Sequence, residues 1–212
     1  MSAEDSVIPA PPSSILTTDN LPHIVNGWLL QILRFHFADP RNITQEKLKP
    51  YVWRSDEKET RIVINPIYAW EPRNIQQRPA IILRRQPWKV EKLALGDKYQ
   101  GHLANDGMTA SNHAVMIQGA HTIYCHAMTG LESEELGAEV GYHLLEFQQH
   151  ILQRFRLHGF KMESIGEVKR TDEPHQHFVV PLTITYAQVH GWSIQQETPI
   201  WTGFSVRTDF GN

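Results

Sequence analysis

Histidine is the residue type in this chain best suited to metal binding or proton transfer, and it occurs 12 times. His121 and His126 flank the segment TIYC, while His175 and His177 precede a β-rich segment. A small metal-dependent enzyme would place His121, His126 and His175 around one cleft. However, positions five apart in a strand lie on opposite faces, so His121 and His126 would not reach the same ion. Because His175 and His177 lack a third ligand, the pattern favours surface or hydrogen-bonded histidines, with a metal enzyme as the alternative.

The single cysteine, Cys125, lies among apolar residues in the segment TIYCHA. A reactive thiol needs an exposed, electropositive setting, so we expect Cys125 to be a buried, unreactive side chain. One cysteine also excludes an intrachain disulfide and a multi-cysteine zinc site. The sequence contains neither a glycine-rich phosphate-binding motif nor a GxSxG motif. We therefore predict no catalytic residues, no bound metal and no cofactor.

The most basic part of the sequence is RPAIILRRQPWK, residues 78–89. Here Arg84, Arg85 and Lys89 lie close to Trp88, a combination suited to phosphate contact or to cation–π packing. A solvated strand end is the simpler interpretation. The chain as a whole has 20 Lys and Arg against 23 Asp and Glu, which gives no strong bias towards nucleic acids or anionic membranes. If several copies formed a ring, these residues would line its lumen and contact DNA weakly, without reading its sequence.

Helix and strand patterns predict an α+β fold. Residues 21–37 and 131–157 repeat apolar side chains at helical spacing, and Thr129 with Glu132 forms a capping box before the second helix. Gly159 is predicted to end that helix. Alternating apolar residues predict the strands: 61–70, 78–85, 114–128, 160–170 and 177–187. We expect a mixed, mainly antiparallel sheet on which the long helix and the N-terminal helix pack.

Several details of these segments bear on the surface of the protein. Pro66 indicates an edge or bulged strand, and Gly119 suggests a bulge or a bend. Residues 96–112 are rich in glycine, asparagine and aspartate and predict a long loop. The apolar side chains of the strand at 61–70 share one face: Ile62, Ile64, Tyr68 and Trp70. Those of the strand at 177–187 also share one face: Phe178, Val180, Leu182, Ile184 and Tyr186.

The two ends of the chain differ in composition from its centre, residues 20–192, which we expect to form one domain. Residues 1–19 contain prolines that predict an extended arm, lying either on a neighbouring subunit or on its own domain. Residues 193–212 form a second arm. The candidate interface residues are prolines and large aromatic residues: Pro9, Pro11, Pro12, Pro66, Trp192, Trp201, Phe204 and Phe210.

No segment of the sequence approaches the roughly 18 consecutive apolar residues of a membrane span. The N-terminal sequence MSAEDSVIPAPPSS also lacks the basic start and the apolar run of a signal peptide. We therefore expect the protein to reside in the cytoplasm, or in a particle assembled there.

The order of several motifs resembles one known family. A basic strand containing Pro79, Arg84 and Arg85 is followed by a glycine-rich loop and by the motif G-x-H-T-I at residues 119–123. After the long helix come the motif IGE at 165–167, the strand HFVVPLTITY and a tryptophan. Over about residues 60–200, this order is similar to that of the tail-terminator and neck proteins of tailed bacteriophages.

The resemblance implies a function as well as a fold. Such proteins are α+β domains that form a hexameric ring, cap the tail tube, stop its growth and join it to the head-side connector. The resemblance implies no catalytic residues, a place at the tail–neck junction of the virion, and contacts with tail tube, sheath and neck proteins, with DNA passing through the ring. The early helix and the long arms also fit another neck, collar or head-completion protein. A monomeric adaptor that binds a partner through residues 192–212 is a further alternative.

Overall fold

The computed structural model describes residues 22–69, 78–92, 100–103, 109–171 and 177–196. Its helices are α1 Pro22–Ala38, α2 Gly130–Glu146 and α3 Gln148–Arg154. Short 3-10 helices lie at Pro40–Asn42, Glu46–Leu48 and Ile67–Ala69. The strands are β1 Val63–Pro66, β2 Ala80–Arg85, β3 Lys89–Lys92, β4 Gln100–Leu103, β5 Thr109–Ala127, β6 Gly159–Ile165, β7 Lys169–Arg170 and β8 Phe178–Gln196.

The described strands form one sheet with the order β1-β2-β5-β8-β6. Strands β3 and β4 also pair with β5, and β7 pairs with β8. β1 and β2 run parallel, whereas β2 with β5, β4 with β5, β6 with β8 and β7 with β8 run antiparallel. The predicted α+β class, with a mixed and mainly antiparallel sheet, is therefore confirmed.

The chain divides into two compact units. The larger unit contains the three helices and the main buried core, and it comprises residues 17–91 and 116–189. The smaller unit comprises residues 1–16, 92–115 and 190–212. No helix within the described part of the chain is long and apolar enough to cross a membrane.

The smaller unit contains a hairpin that the sequence interpretation missed. β4 pairs with residues 109–112 at the start of β5, so the long loop predicted at 96–112 is wrong for residues 100–103 and 109–112. The segment between these strands has the sequence Asn-Asp-Gly at residues 105–107. Asp-Gly between two strands is a sequence signal for a hairpin, and it would have indicated the pairing.

The first helix is confirmed, with its bounds at Pro22–Ala38. Leu29, Leu33 and Phe37 are fully buried in the core of the larger unit. Phe35 belongs to the apolar segment that predicts this helix, but its side chain is 77% exposed. Successive helix residues are about 100° apart, so a residue midway between Leu33 and Phe37 points away from the face that they share.

The second helix begins where the capping box predicts and packs on the sheet. The Thr129 hydroxyl accepts a hydrogen bond from the Glu132 N–H at 3.2 Å. The buried side chains of this helix include Leu136, Val140 and Leu144. Glycine at position 137 lets the helix approach β8 closely, since a Cβ there would lie 2.9 Å from the Val180 side chain.

The single long helix predicted at 131–157 is wrong, because the chain forms two helices. Phe147, with φ −89° and ψ 4°, separates α2 from α3. Backbone hydrogen bonds continue on both sides, from the Phe147 N–H to the His143 carbonyl and from the Ile151 N–H to the Phe147 carbonyl. The apolar periodicity also continues across Phe147, so the sequence pattern gives no sign of the break.

The predicted C-cap at Gly159 is also wrong. Arg156 adopts the left-handed conformation, with φ 51°, two residues after α3 ends. The turn allows the Leu157 N–H to donate to the Leu152 carbonyl at 3.0 Å, and the Leu157 side chain is buried. Gly159 instead opens β6.

The two longest strands extend beyond their predicted bounds. β5 continues through Gly119, where a Cβ would collide with the Tyr186 ring, so the close approach of a buried aromatic ring accounts for the glycine. β8 continues to Gln196, so Trp192 lies within a strand rather than in a tail. The predicted inward face of β8 is confirmed for its buried members: Val180, Leu182, Ile184 and Tyr186.

β1 is an edge strand that contains Pro66, as predicted. The Arg34 guanidinium donates to the Ile64 carbonyl at 2.8 and 3.1 Å and to the Asn65 amide oxygen at 3.1 Å. These contacts and the proline reduce the capacity of this edge to pair with another strand. The strand ends at Pro66, and Tyr68 in the following 3-10 helix is 84% exposed, contrary to its predicted place on the inner face.

Candidate functional site

A groove on the larger unit lies between α1 on one side and α2 and α3 on the other. Its volume is about 530 Å³, within the range of known ligand-binding sites. We call it the helix groove, and its walls include Gln31, Ile32, Phe35, Tyr142, Phe147 and Ile151. His36, Glu139 and His143 also line it, and all three are buried.

A buried histidine–glutamate pair connects the helices beneath the helix groove. The His36 Nε2 and the Glu139 Oε1 are 2.9 Å apart, and the histidine must donate because a carboxylate only accepts. The same carboxylate accepts the backbone N–H of Thr44 at 2.9 Å and that of Gln45 at 3.1 Å. Glu139 therefore joins α1, α2 and the segment that follows the first 3-10 helix.

The surroundings of Glu139 favour its charged form. Burial acts to raise the pKa of this carboxyl, but the hydrogen bonds from His36, Thr44 and Gln45 outweigh burial and lower the pKa. A carboxylate with a lowered pKa and several occupied acceptor positions is poorly suited to act as a general base. We conclude that Glu139 has a structural role.

His143 completes the floor of the groove as a neutral side chain. Its ring stacks on that of His36, with the centroids 3.9 Å apart. Burial lowers the pKa of His143 to about 4, and the nearby His36 lowers it further while Glu139 opposes the change. The ring is therefore uncharged at neutral pH and forms part of an aromatic floor.

The walls of the helix groove expose large aromatic rings. Phe35 is 77% exposed, Tyr142 is 68% exposed and Phe147 is 42% exposed. Exposed aromatic groups that line one groove often mark a surface that binds a partner. The arrangement therefore suits the recognition of an apolar segment better than it suits catalysis.

Sequence reasoning missed this groove, although one signal was present. Glu139 lies between Leu136 and Val140, within the apolar stripe of α2, where a carboxylate needs a buried partner. No comparable signal identified His36 as that partner, because the two residues are 103 positions apart.

Comparison with known proteins assigns no family to this arrangement. No protein-family model matches the chain. No curated protein matches it either.

The predicted basic residues lie at the end of β2 and the start of β3. Arg84, Arg85 and Lys89 are all exposed. The guanidinium carbon of Arg85 lies 5.3 Å from the centroid of the Trp88 ring, which confirms the cation–π contact. Phosphate contact by these residues stays a prediction.

The histidines proposed as metal ligands do not meet. His121 packs against the Tyr186 ring, with the centroids 5.5 Å apart, whereas His126 lies beside Tyr124. The two histidines are both buried, five positions apart on one strand, and therefore on opposite faces. Among the described residues no group of three His, Cys, Asp or Glu side chains could hold a metal ion. His175 lies outside the described residues.

Cys125 is a buried side chain, as predicted, with no exposed surface. Burial raises the pKa of its thiol, which keeps the sulfur protonated and unreactive. The remaining predicted interface residues lie outside the described part of the chain: Pro9, Pro11, Pro12, Trp201, Phe204 and Phe210.

Proposed function

We propose that this chain is a structural subunit of a virion, of the tail-terminator type, which assembles with copies of itself into a ring. The observation that carries the proposal is the helix groove, whose aromatic walls are open to solvent. A single buried aromatic side chain removes about 150–250 Å² of surface from water, so covering these walls favours association. A second copy of the chain is the occupant that we propose.

A closed ring requires two different surfaces on each subunit, one of which receives the other. The helix groove is a receiving surface. The chain also supplies two segments rich in proline or aromatic residues, at 1–21 and at 197–212, that can act as the inserting surface. This combination permits head-to-tail association, which closes into a ring when the rotation between neighbours allows it.

Ring formation also gives the basic residues a role. Arg84, Arg85 and Lys89, repeated in every subunit, would line the lumen and contact the phosphates of passing DNA without reading its sequence. The further partners in this proposal are the tail tube and sheath on one side and the neck or head-tail connector on the other. The location would be the tail–neck junction of the virion, assembled in the host cytoplasm without a membrane.

Mass photometry of the purified chain and of charge variants tests the proposal. We expect the wild-type chain to form a discrete oligomer larger than a dimer. We expect the double variant Tyr142→Asp with Phe147→Asp to form monomers, because two carboxylates in the groove would lose their hydration on association. Tyr68→Asp is the matched control, since Tyr68 is 84% exposed and lies outside the groove. We expect this control to assemble like the wild type.

Two outcomes contradict the proposal. A wild-type chain that stays monomeric at micromolar concentration would contradict ring formation. If that monomer instead bound an unrelated protein, the result would favour the alternative of a monomeric adaptor. An oligomer that survives both groove substitutions assigns the contact to another surface. Circular dichroism of each variant checks that the fold is retained.

A further inference from the structure

We infer that the helix groove binds the proline-rich segment at residues 7–14 of a neighbouring copy. This inference rests on the proposed function, because it names the segment that joins one subunit to the next. The segment has the sequence VIPAPPSS, with Pro9, Pro11 and Pro12 close together. Such a sequence favours the extended polyproline helix, which loses little conformational entropy on binding.

The lining of the groove fits this ligand chemically. Proline-rich segments bind in grooves lined by aromatic rings, and here Phe35, Tyr142 and Phe147 supply exposed rings. A polyproline helix makes no internal hydrogen bonds, so its carbonyl groups need external donors. Gln31 and Asn42 also line the groove, and their amide groups can donate to those carbonyls.

The length of chain before α1 permits an exchange between subunits. The described residues begin at Pro22, the first residue of α1, and 10 positions separate Pro12 from it. Ten extended residues span roughly 33 Å, whereas α1 is about 20 Å long from Pro22 to Phe35. The segment can therefore extend beyond the groove wall of its own α1, and the head-to-tail contact of the proposed ring makes the groove of the neighbouring copy its binding site.

Chemical cross-linking between two variants, each with one added cysteine, tests the exchange. Ser13→Cys places a thiol next to the proline cluster, and Gln31→Cys places one in the wall of the groove, where Gln31 is exposed. The native Cys125 is fully buried and should not compete. We expect a short bismaleimide to give a cross-linked dimer when the two variants are mixed. Replacing Pro9, Pro11 and Pro12 with alanine in the Ser13→Cys chain should lower the yield roughly tenfold, as a loss of about 1.4 kcal/mol in binding predicts.

Any other result contradicts the inference, and each such result points to a different explanation. A cross-link that forms only within a chain carrying both cysteines shows that the segment binds its own domain. A yield that is insensitive to the prolines but lost on deletion of residues 197–212 assigns the groove to the C-terminal segment. If mass photometry shows oligomers larger than a dimer and no cross-link forms, the inference fails while the proposed function stands. If the chain is monomeric, the proposed function itself fails.

Discussion

Replacement of Glu139 with alanine is expected to lower the free energy of unfolding by about 2–4 kcal/mol, because each buried donor left without an acceptor costs roughly 1–3 kcal/mol. The carboxylate accepts hydrogen bonds from His36, Thr44 and Gln45. Its removal leaves these donors buried or partly buried without an acceptor, and it opens a void where α1 meets α2. Urea denaturation followed by circular dichroism measures the loss.

The same helix provides a matched control. Glu135 accepts a hydrogen bond from the Lys47 ammonium at 2.8 Å, but Lys47 is 67% exposed. We expect Glu135→Ala to cost at most about 1 kcal/mol, because solvent screens exposed ion pairs. Equal losses for Glu139→Ala and Glu135→Ala would show that the buried carboxylate does not hold the helices together.

Acidification is expected to unfold the protein between pH 6.5 and pH 4. Burial lowers the pKa of His121, His126 and His143 to about 4 in the folded chain. The pKa of histidine in an unfolded chain is about 6.5. Between these values the unfolded chain binds more protons than the folded chain, so stability falls as the pH falls.

The expected size of the acid effect is large. A pKa shift of this size corresponds to about 3 kcal/mol of unfolding free energy for each buried histidine. The combined contribution of His121 and His126 therefore approaches the total free energy of unfolding of many domains. His143 lines the helix groove, where solvent screening reduces its contribution to the loss of stability in acid. The charged or titratable neighbours are Arg85 for His121, His177 for His126, and His36 with Glu139 for His143.

A histidine variant separates this effect from the protonation of carboxylates. Neither ring nitrogen of His121 has a hydrogen-bond partner among the described residues. We therefore expect His121→Leu to be tolerated at pH 7.5 and to reduce the acid-induced loss by about 3 kcal/mol. Urea midpoints measured at several pH values provide the comparison. A wild-type stability that is constant from pH 7 to pH 4.5 would contradict the assignment.

Local signals in the sequence predicted much of the fold. Apolar periodicity predicted the helix at Pro22–Ala38 and the buried face of β8. The start of α2 was predicted from Thr129, which caps the helix. The break at Phe147 escaped prediction because the periodicity continues across it. The helix end at Arg156 also escaped, since a non-glycine residue takes the left-handed conformation there.

The candidate site was less predictable than the fold. The helix groove forms where two helices distant in sequence meet, and its exposure depends on how each helix is rotated. Phe35 illustrates the difficulty, because it belongs to an apolar run and yet points outward. In contrast, the basic residues and the Arg85–Trp88 contact are close in sequence and were predicted directly.

The buried pair and the exposed groove together suggest a division of roles. His36 and Glu139 fix α1 against α2, and this rigidity keeps Phe35 and Tyr142 on opposite walls of the groove. A preformed groove loses less entropy on binding than one that must be ordered. Stability within the subunit would thereby support association between subunits.

Electron microscopy of the purified full-length chain tests the central claim most directly. We predict that averaged images show closed rings of several identical subunits with a central opening, and that the rings cap the ends of tail tubes. Uniform monomers that do not associate with tail tubes would contradict the claim.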